Sequence, residues 1–360
     1  MRALRLVAKR PRLPVLECAR LLSTAVAPRH WDWNSSRSDL KKPADRPLPP
    51  GVTTDDLDPD ALERDVVAYG AAREVWNEIR ETAMEQHRGQ SWRTDDLVEF
   101  GVDSYLRRHI LDHASLACGL SICVGGKLGA SGSANTLSGG YGGSVDFRAI
   151  LLSAFKADPD IVDAVAHDIK RFKTVDPATD SLLGVYLFYK GVQALCCARV
   201  ANHFYTRRGD AGKLIAFLLQ SEMSAVFGVD IHPGCVLGRG ITIDHATGVV
   251  LGETAVIGDN VYLMHDVTLG ATGTSESRDR HPKIQPNVFL GAKCTILGNI
   301  TIGEGATVAA AALVNKDVPA GHTAVGMPAR NIPPKPNIEP GTQLGTDLRH
   351  VTKIDVTKAK

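Results

Sequence analysis

Aliphatic residues recur at every sixth position through the last third of the chain, in three runs separated by two interruptions. This period matches neither the roughly 3.6 residues of a helix turn nor the alternation of a strand. It is typical of short strands joined by tight turns, three to a coil, so that each coil of a parallel β-helix takes about eighteen residues. The repeat residues are Ile231, Leu237 and Ile243, then Leu251, Ile257, Leu263 and Leu269, and finally Ile284, Leu290, Ile296, Ile302, Val308 and Val314.

A single coil of such a helix cannot bury its own apolar face, so its stability comes from stacking on the neighbouring coils. We expect each repeat residue to point inward and to stack on its equivalent one coil away. Glycine often follows the repeat residue, as at Gly238, Gly252 and Gly291, and glycine accepts the positive φ that tight turns need. A β-sandwich is the alternative, but its strands would show two-residue alternation and irregular spacing.

Length and composition limit the number of domains and the classes of partner that this chain can have. The chain has 360 residues, enough for about two domains, and a formal net charge of +1. Near neutrality gives no sign of general affinity for nucleic acid or for a membrane surface, and no apolar run reaches the ~18 residues of a membrane span. The seven cysteines form no CxxC pair, and their spacing fits neither a zinc site nor a disulfide framework. We therefore expect reduced thiols and no bound metal.

The first thirty residues are basic and amphipathic, with seven Lys and Arg residues against one acid, Glu17. Such a start is typical of an organelle transit peptide, and its scarcity of serine favours a mitochondrial location over a plastid one. A disordered basic tail on a cytosolic protein is the alternative. The predicted domains are a transit peptide (1–30), a linker (31–57), a helical domain (58–228), a β-helix (229–330) and a flexible tail (331–360).

Hydrophobic spacing in residues 58–228 is helical. Val75, Ile79 and Ala83 share one helix face, and Asp55 and Asp58 are candidate caps before an earlier helix near Pro59. The glycine-rich stretch from Gly125 to Gly143 predicts a loop without chemistry. The other predicted helices are Asp103–Ile122, Phe147–Ala157, Pro159–Lys173, Leu182–Arg207 and Ala211–Phe227.

The two interruptions of the repeat carry the polar residues of greatest interest. The first adds two residues after Ile243, and the second is the polar segment 271–283. A regular scaffold that tolerates a bulge and a polar loop commonly does so where its function lies. Asp244 and His245 lie in the first interruption, and Arg280 and His281 lie in the second.

His245 is the candidate general base, because imidazole titrates near neutral pH. A carboxylate or carbonyl must fix its tautomer and stabilise the imidazolium. Asp230 precedes it by fifteen residues, close to one coil, which would allow contact across neighbouring coils. No Ser, Cys or Lys has an activating sequence context, so direct transfer to a bound acceptor fits better than a covalent intermediate.

Eight sequence strings resemble serine O-acetyltransferase, within the hexapeptide-repeat acyltransferase superfamily, across about residues 60–335. The repeat alone indicates only the superfamily, whereas DHATG, DRHPK and the DPA segment indicate the serine enzyme. The resemblance implies an α+β chain in which an all-helical N-terminal domain precedes a left-handed parallel β-helix. The strings are VDIHPG (229–234), IDHATGVVLGETAVIG (243–258), DRHPKI (279–284), LGNITIG (297–303), GMPAR (326–330), FKADPDI (155–161), VDPATD (175–180) and YLFYKGVQAL (186–195).

The resemblance implies acetyl transfer from acetyl-CoA to the hydroxyl of L-serine, giving O-acetyl-L-serine for cysteine biosynthesis. A zwitterionic amino acid needs both signs of charge in one pocket, and the guanidinium fork suits a carboxylate. The implied roles are general base for His245, orienting partner for Asp230, ammonium binding for Asp176 and Asp244, and carboxylate binding for Arg280 with His281 beside it.

The resemblance also implies acetyl-CoA as a co-substrate rather than a permanently bound cofactor. It would lie in a groove between neighbouring subunits of a homotrimer, and two trimers would join through their helical domains. Small residues near the pantetheine would admit the ligand, although simple packing explains them equally well. The family often reads GAGAK where this chain has GAKCT (291–295). The implied acetyl-CoA contacts are Gly291, Ala292, Ala309 and Ala310.

One implied partner is left open. Members of the family commonly end in an isoleucine that docks into O-acetylserine sulfhydrylase, the next enzyme of the pathway. This chain ends Thr357-Lys358-Ala359-Lys360, and its Ile354 is internal. The resemblance therefore does not carry this complex over to the present sequence.

Three other functions are alternatives. The same fold could acetylate a sugar or antibiotic hydroxyl, although Asp176 and the helical domain speak against that acceptor. A non-catalytic scaffold is a second alternative. A trimeric zinc lyase resembling γ-class carbonic anhydrase is the third, but it needs three histidines grouped around an interface. The candidate histidines are far apart in the sequence, at His232, His245, His265 and His281.

Overall fold

The computed structural model describes residues 70–88, 106–111, 113, 115–130, 145–273 and 278–334. Several predictions fall outside these ranges. They are the transit peptide (1–30), the linker (31–57), the caps Asp55 and Asp58, most of the glycine-rich stretch, and the tail beyond residue 334.

The described part before residue 228 is helical, as predicted. Val75, Ile79 and Ala83 are buried together on one helix face, and none of the described helices is long and apolar enough to cross a membrane. The helices are α1 (Gly70–Arg88), a short π-helical segment (Arg107–Leu111), α2 (Leu116–Ala130), α3 (Phe147–Ala157), α4 (Asp160–Val175), α5 (Leu182–Phe188), α6 (Lys190–Arg207) and α7 (Gly209–Phe227).

The prediction of one helix over Asp103–Ile122 was wrong. A new helix, α2, begins after Ser115, whose hydroxyl oxygen accepts a hydrogen bond from the Cys118 amide at 3.4 Å. Serine caps a helix start in this way. The loop predicted from Gly125 was also wrong in its first residues, since α2 continues to Ala130. Leu128 is fully buried there, so packing outweighs the low helix propensity of glycine.

The helix predicted over Leu182–Arg207 is in fact two helices. Tyr189 separates α5 from α6 with an extended backbone, at φ −83° and ψ 100°. Its ring packs edge-on against Phe172 of α4, with ring centroids 5.2 Å apart. Tertiary packing of this side chain accompanies the break, and no local signal in the sequence marks it.

In the described part of the chain, fifteen short strands follow the helices. They are β1 (Val229–Ile231), β2 (Val236–Leu237), β3 (Thr242–Ile243), β4 (Val249–Leu251), β5 (Val256–Ile257), β6 (Tyr262–Leu263), β7 (Thr268–Gly270), β8 (Lys283–Ile284), β9 (Phe289–Leu290), β10 (Thr295–Leu297), β11 (Thr301–Ile302), β12 (Thr307–Val308), β13 (Leu313–Val314), β14 (Thr323–Val325) and β15 (Arg330–Ile332).

The strands form three parallel sheets that wrap into a β-helix, which confirms the predicted fold. The first sheet has the order β1-β4-β7-β10-β13, the second β11-β8-β5-β2, and the third β15-β14-β12-β9-β6-β3. Only β15 runs antiparallel, against β14. It extends two residues beyond the predicted domain boundary at residue 330.

The register of the strands confirms the six-residue repeat. Each repeat residue pairs with the repeat residue three positions later in the series, as Ile231 with Leu251 and Ile257 with Ile284. These residues stack along the axis of the β-helix, and all are buried except Leu237, which is half-buried. The first interruption lengthens the coil from Ile231 to Leu251 to 20 residues, and the second lengthens the coil from Ile257 to Ile284 to 27 residues.

The helical domain is fixed tightly to the first coil. Gly191 of α6 lies against β3, and a Cβ added there would stand 2.0 Å from the carbonyl oxygen of Ile243. Arg239 extends from the first coil to α4, where its Nη1 donates to Asp163 Oδ2 at 2.6 Å. The helices therefore approach the β-helix beside the residues of the first interruption.

Candidate active site

The first interruption forms a turn between the third and first sheets, which we call the first corner (residues 244–248). His245 and Ala246 both have positive φ, at 57° and 59°. Two successive residues in this sparsely populated region turn the chain sharply. The turn leaves the His245 side chain 70% exposed, whereas that of Asp244 is 18% exposed. An imidazole is thereby presented to a ligand at the surface.

His245 lies beside a carboxylate and a second imidazole. Its Nε2 is 3.7 Å from Oδ2 of Asp244, and its ring lies edge-on to that of His265 at 5.8 Å. The two histidines are distant in the sequence but close in the structure, because they follow the paired strands β3 and β6 at the same position. No three His, Cys, Asp or Glu residues of the described chain are grouped to hold a metal ion.

Asp244 is oriented by a tyrosine that sequence reasoning missed. The hydroxyl of Tyr262 donates to Oδ2 of Asp244 at 3.0 Å, and the Tyr262 ring stacks on Phe289 at 5.3 Å. Burial and the neighbouring Asp244 carboxylate raise the pKa of Tyr262 above its usual value. Tyr262 is therefore a neutral donor that leaves Oδ1 of Asp244 for other partners.

Asp176 reaches the same neighbourhood from the helical domain. It ends α4, where its carboxylate accepts from the Ala178 amide at 2.9 Å and from the Thr179 hydroxyl at 2.8 Å. Its negative charge contributes to the raised pKa of Tyr262. The structure thus brings Asp176 and Asp244 to one tyrosine. Lys190, the first residue of α6, donates to the hydroxyl of Thr247 and adds a cation to the first corner.

Asp230 lies on β1, opposite Val250 of β4. Its Oδ1 accepts from Nε2 of Gln220 at 2.6 Å, beside an open groove along α7. Among the residues that the structure describes, no hydrogen bond or ion pair joins Asp230 to His245. The predicted pairing of these two residues stays a prediction.

The end of the second interruption packs against the turn between the first and second sheets, which we call the second corner (residues 252–255). Arg280 Nη2 lies 3.3 Å from Oε2 of Glu253. His281 is buried against Gly252, where an added Cβ would stand 2.1 Å from the ring. Burial, with the cations Arg280 and Lys283, lowers the pKa of His281. This corner therefore presents an exposed guanidinium group beside a neutral imidazole.

The two corners do not meet within one chain. Strand β4 (Val249–Leu251) lies between them, since the first corner precedes it and the second follows it. No described hydrogen bond or ion pair connects Asp244 or His245 with Arg280 or His281. The structure therefore groups the predicted site residues into a carboxylate–imidazole set and a guanidinium–imidazole set.

The predicted acetyl-CoA contacts lie on two successive coils. A Cβ on Gly291 would stand 2.6 Å from the Ala310 amide nitrogen, so coil packing alone requires glycine at this position. Ala309 is buried, Ala292 is half-buried and Ala310 is exposed. Small residues therefore occupy these positions on the two successive coils.

Sequence reasoning missed Tyr262, Glu253 and Thr254. The repeat contains a signal for Tyr262, which pairs with Thr242 one coil away, two residues before Asp244. The repeat contains no signal for Glu253 and Thr254. The extra residues of the second interruption break the six-residue period, so the spacing does not predict which turn packs against Arg280.

Comparisons with known proteins agree with the helical domain and the hexapeptide repeats. A family model of the serine acetyltransferase N-terminal domain matches residues 75–197, and a model of six bacterial transferase hexapeptide repeats matches residues 281–316. Serine acetyltransferase 2 of Arabidopsis thaliana is 39% identical over 282 residues, which cover 77% of this chain and 80% of that protein. Serine acetyltransferase 3, mitochondrial, of the same plant is 39% identical over 288 residues, covering 80% and 68% respectively.

A solved structure resembles the whole described arrangement. The soybean serine acetyltransferase complexed with serine is 42% identical and superposes with a TM-score of 0.63, covering 74% of this chain and all of that one. The likeness includes both the helices and the repeats, so it is not confined to the widespread β-helix. The chain belongs to the serine acetyltransferase family.

Proposed function

We propose that this chain transfers the acetyl group of acetyl-CoA to the hydroxyl of L-serine, giving O-acetyl-L-serine for cysteine biosynthesis. One observation carries the proposal: the carboxylates of Asp244 and Asp176 lie near Tyr262 at the first corner, and Arg280 lies at the second corner. A zwitterionic acceptor presents an ammonium and a carboxylate group to such a pair of surfaces, whereas a sugar hydroxyl presents neither. Family membership and the serine-bound soybean relative support the same acceptor.

His245 is the proposed general base. It takes the proton of the serine hydroxyl as the oxygen attacks the thioester carbonyl, and the tetrahedral intermediate then collapses with cleavage of the C–S bond. The imidazolium returns the proton to the departing thiolate of CoA. The carboxylate of Asp244, 3.7 Å away, stabilises the imidazolium. Asp230 is the second candidate for this orienting role.

Transfer is proposed to be direct. A covalent route would need an activated nucleophile near His245. The described cysteines are buried, and burial raises the pKa of Cys196 and Cys197, and that of Cys294 to about 12. Thiols of this kind are protonated at neutral pH and react slowly.

The site is proposed to form between two copies of the chain, in a homotrimer or a dimer of trimers. The first corner of one copy would supply Asp244 and His245, and the second corner of its neighbour would supply Arg280 and His281. Acetyl-CoA would enter along Gly291, Ala292, Ala309 and Ala310. The separation of the two corners by β4 supports this assembly.

Import into mitochondria is proposed from the basic segment 1–30, and the mitochondrial Arabidopsis relative supports it. Fluorescent fusions with and without residues 1–30 test the proposal. Equal cytosolic distribution of the two fusions would contradict it.

Steady-state turnover of acetyl-CoA with L-serine, beside a sugar acceptor, tests the activity. His245→Ala should lower kcat by at least ~10²-fold, because general-base catalysis contributes that much or more. His322→Ala, in the last coil, controls for loss of an imidazole. Absence of serine turnover by the wild type would overturn the proposed function.

Mixed oligomers test the shared site. His245→Ala and Arg280→Ala should each be nearly inactive alone. When the two are co-expressed, some interfaces combine an intact first corner with an intact second corner, so activity should return. Failure of the mixture to exceed either variant would contradict assembly of the site from two copies.

A further inference from the structure

The hydroxyl of Thr254 lies at the centre of the second corner, with three polar contacts. The backbone amides of Arg280 and His281 each donate to Thr254 Oγ1 at 3.0 Å. The third contact joins Oγ1 to Nδ1 of His281 at 2.8 Å. A hydroxyl has two acceptor lone pairs and one proton. Because the two amides occupy both lone pairs, the hydroxyl proton is directed to Nδ1.

A second contact leads to the same assignment independently. The backbone amide of Thr254 also donates to Nδ1 of His281, at 3.2 Å. An N–H group can only donate, so the nitrogen that it meets must carry a lone pair. Nδ1 therefore accepts from both the hydroxyl and the backbone amide of Thr254. The proton of the neutral ring accordingly lies on Nε2.

The charges around the ring favour this neutral form. Arg280 and Lys283 are the nearby cations, with His232 as a further titratable group, while Glu253 is the opposing carboxylate. Lys283 donates to the carbonyl oxygens of Thr254 and His281 at 3.0 and 2.7 Å, and to Asp279 Oδ1 at 2.6 Å. A proton added to His281 would face these cations and break the amide contact.

The Nε2 edge of the ring is the one left for a ligand. It lies over Gly252, where any side chain would collide with it. Among the residues that the structure describes, none forms a hydrogen bond with Nε2 of His281. A carboxylate is an acceptor only, so it can bind Nε2 when that atom carries a proton and is repelled by a lone pair there.

We infer that Thr254 is a positioning residue for the acceptor amino acid: it fixes His281 as the Nε2–H tautomer, which donates to the substrate carboxylate beside Arg280. The inference rests on the proposed function, since it takes serine as the acceptor. Thr254 acts only through His281 and touches no reacting atom. His281 is accordingly a hydrogen-bond donor in the site, and the base is His245.

The tautomer can be measured directly. In protein labelled with ¹⁵N-histidine, the two ring nitrogens differ in chemical shift, and the His281 resonances are those missing from His281→Gln. The wild type should show a protonated Nε2 and an unprotonated Nδ1. A proton on Nδ1 in the wild type would overturn the inference, whatever the activity.

Kinetics of matched variants test the role. Thr254→Val keeps the shape but removes the hydroxyl, and it should raise KM for L-serine about tenfold, with less effect on kcat and none on KM for acetyl-CoA. Thr254→Ser keeps the hydroxyl and should restore KM to near the wild-type value. Thr323→Val, on β14, controls for loss of a β-helix threonine hydroxyl.

The outcomes separate this inference from the proposed function. Wild-type protein that fails to acetylate serine overturns the function, and with it the role of Thr254 in serine binding. Wild-type protein that acetylates serine while Thr254→Val keeps an unchanged KM overturns the role of Thr254 alone. Should Thr254→Val fail to fold, the tautomer of His281 in the wild type and the KM of Thr254→Ser for L-serine still test the inference.

Discussion

Arg199 holds both carboxylate oxygens of Asp168 in a pair that is almost entirely buried. The nitrogen–oxygen distances are 2.8, 3.0 and 3.1 Å. The first coil completes the network: the Ile241 amide donates to Asp168 Oδ1 at 2.8 Å, and Arg199 Nη2 donates to the Gly238 carbonyl oxygen at 2.7 Å. The pair therefore joins α4 and α6 to the β-helix, beside the first corner.

Loss of one partner of this pair should destabilise the protein strongly. Asp168→Ala leaves the Arg199 guanidinium buried without its counter-ion, which costs about 3–5 kcal/mol of the free energy of unfolding. The exposed pair between Lys170 and Glu74 is the control, and Lys170→Ala should leave that free energy essentially unchanged. Denaturant titrations at one protein concentration measure both. Equal losses of the free energy of unfolding in Asp168→Ala and Lys170→Ala would contradict the prediction that the buried pair contributes more than the exposed one.

Gly252→Ala should impair serine binding specifically. The added Cβ would collide with the His281 ring, which must then move away from the second corner. We expect KM for L-serine to rise about tenfold or more, with KM for acetyl-CoA unchanged. Gly126→Ala is the matched control, because a Cβ there meets nothing within 4 Å. An unchanged KM in Gly252→Ala would contradict the packing described for His281.

Tyr262→Phe should weaken binding of the substrate ammonium group. The change removes the hydrogen bond that orients Asp244 and leaves the stacking on Phe289 in place. A bond of this kind contributes about 1 kcal/mol, so KM for L-serine should rise about fivefold. Tyr186→Phe removes a hydroxyl that donates to the His109 carbonyl oxygen in the helical core, and it should leave KM unchanged. Steady-state kinetics with varied serine distinguish the two.

His203 should make stability fall in mild acid. It is buried, and burial lowers its pKa below the ordinary 6.5 despite Asp158 nearby. Above pH 6.5 the ring is neutral in both states; below it, the unfolded chain takes up a proton that the folded chain resists. Stability is therefore lost as pH falls below 6.5, by up to ~1.4 kcal/mol per unit.

Unfolding titrations between pH 8 and 5 measure this slope. His203→Gln should show a shallower fall than the wild type, while His322→Gln should follow the wild type. Parallel curves for wild type and His203→Gln would show that His203 does not link protonation to folding.

The coil architecture could be predicted because stacking is periodic. To bury its side chain, every third repeat residue must stack on the same inner face of the β-helix. The strand register follows from that requirement, as for Ile231, Leu251 and Leu269. The interruption at His245 stands out against this period. Its turn has two successive non-glycine residues with positive φ, His245 and Ala246, whereas the turns at Asn260 and Asp266 have one each.

The helical domain was less predictable because its signals are local while its constraints are distant. The break at Tyr189 coincides with its packing on Phe172, and α2 continues through glycine where Leu128 is buried. Similarly, the spacing does not reveal that Asp244 lies next to the imidazole of His245. The predicted pairing of His245 with Asp230, whose carboxylate accepts from Gln220 of α7, stays a prediction.

The sequence by itself determined the β-helix, its register and the two interruptions that hold the candidate site residues, because a six-residue period fixes every inward position relative to the next coil. Only the tertiary structure decided which side chains meet at those places. Thr254 lies under His281 although 27 residues separate them, since the length of the second interruption is independent of the period. The separation of His245 from Arg280 by β4 was likewise decided by how the coils close.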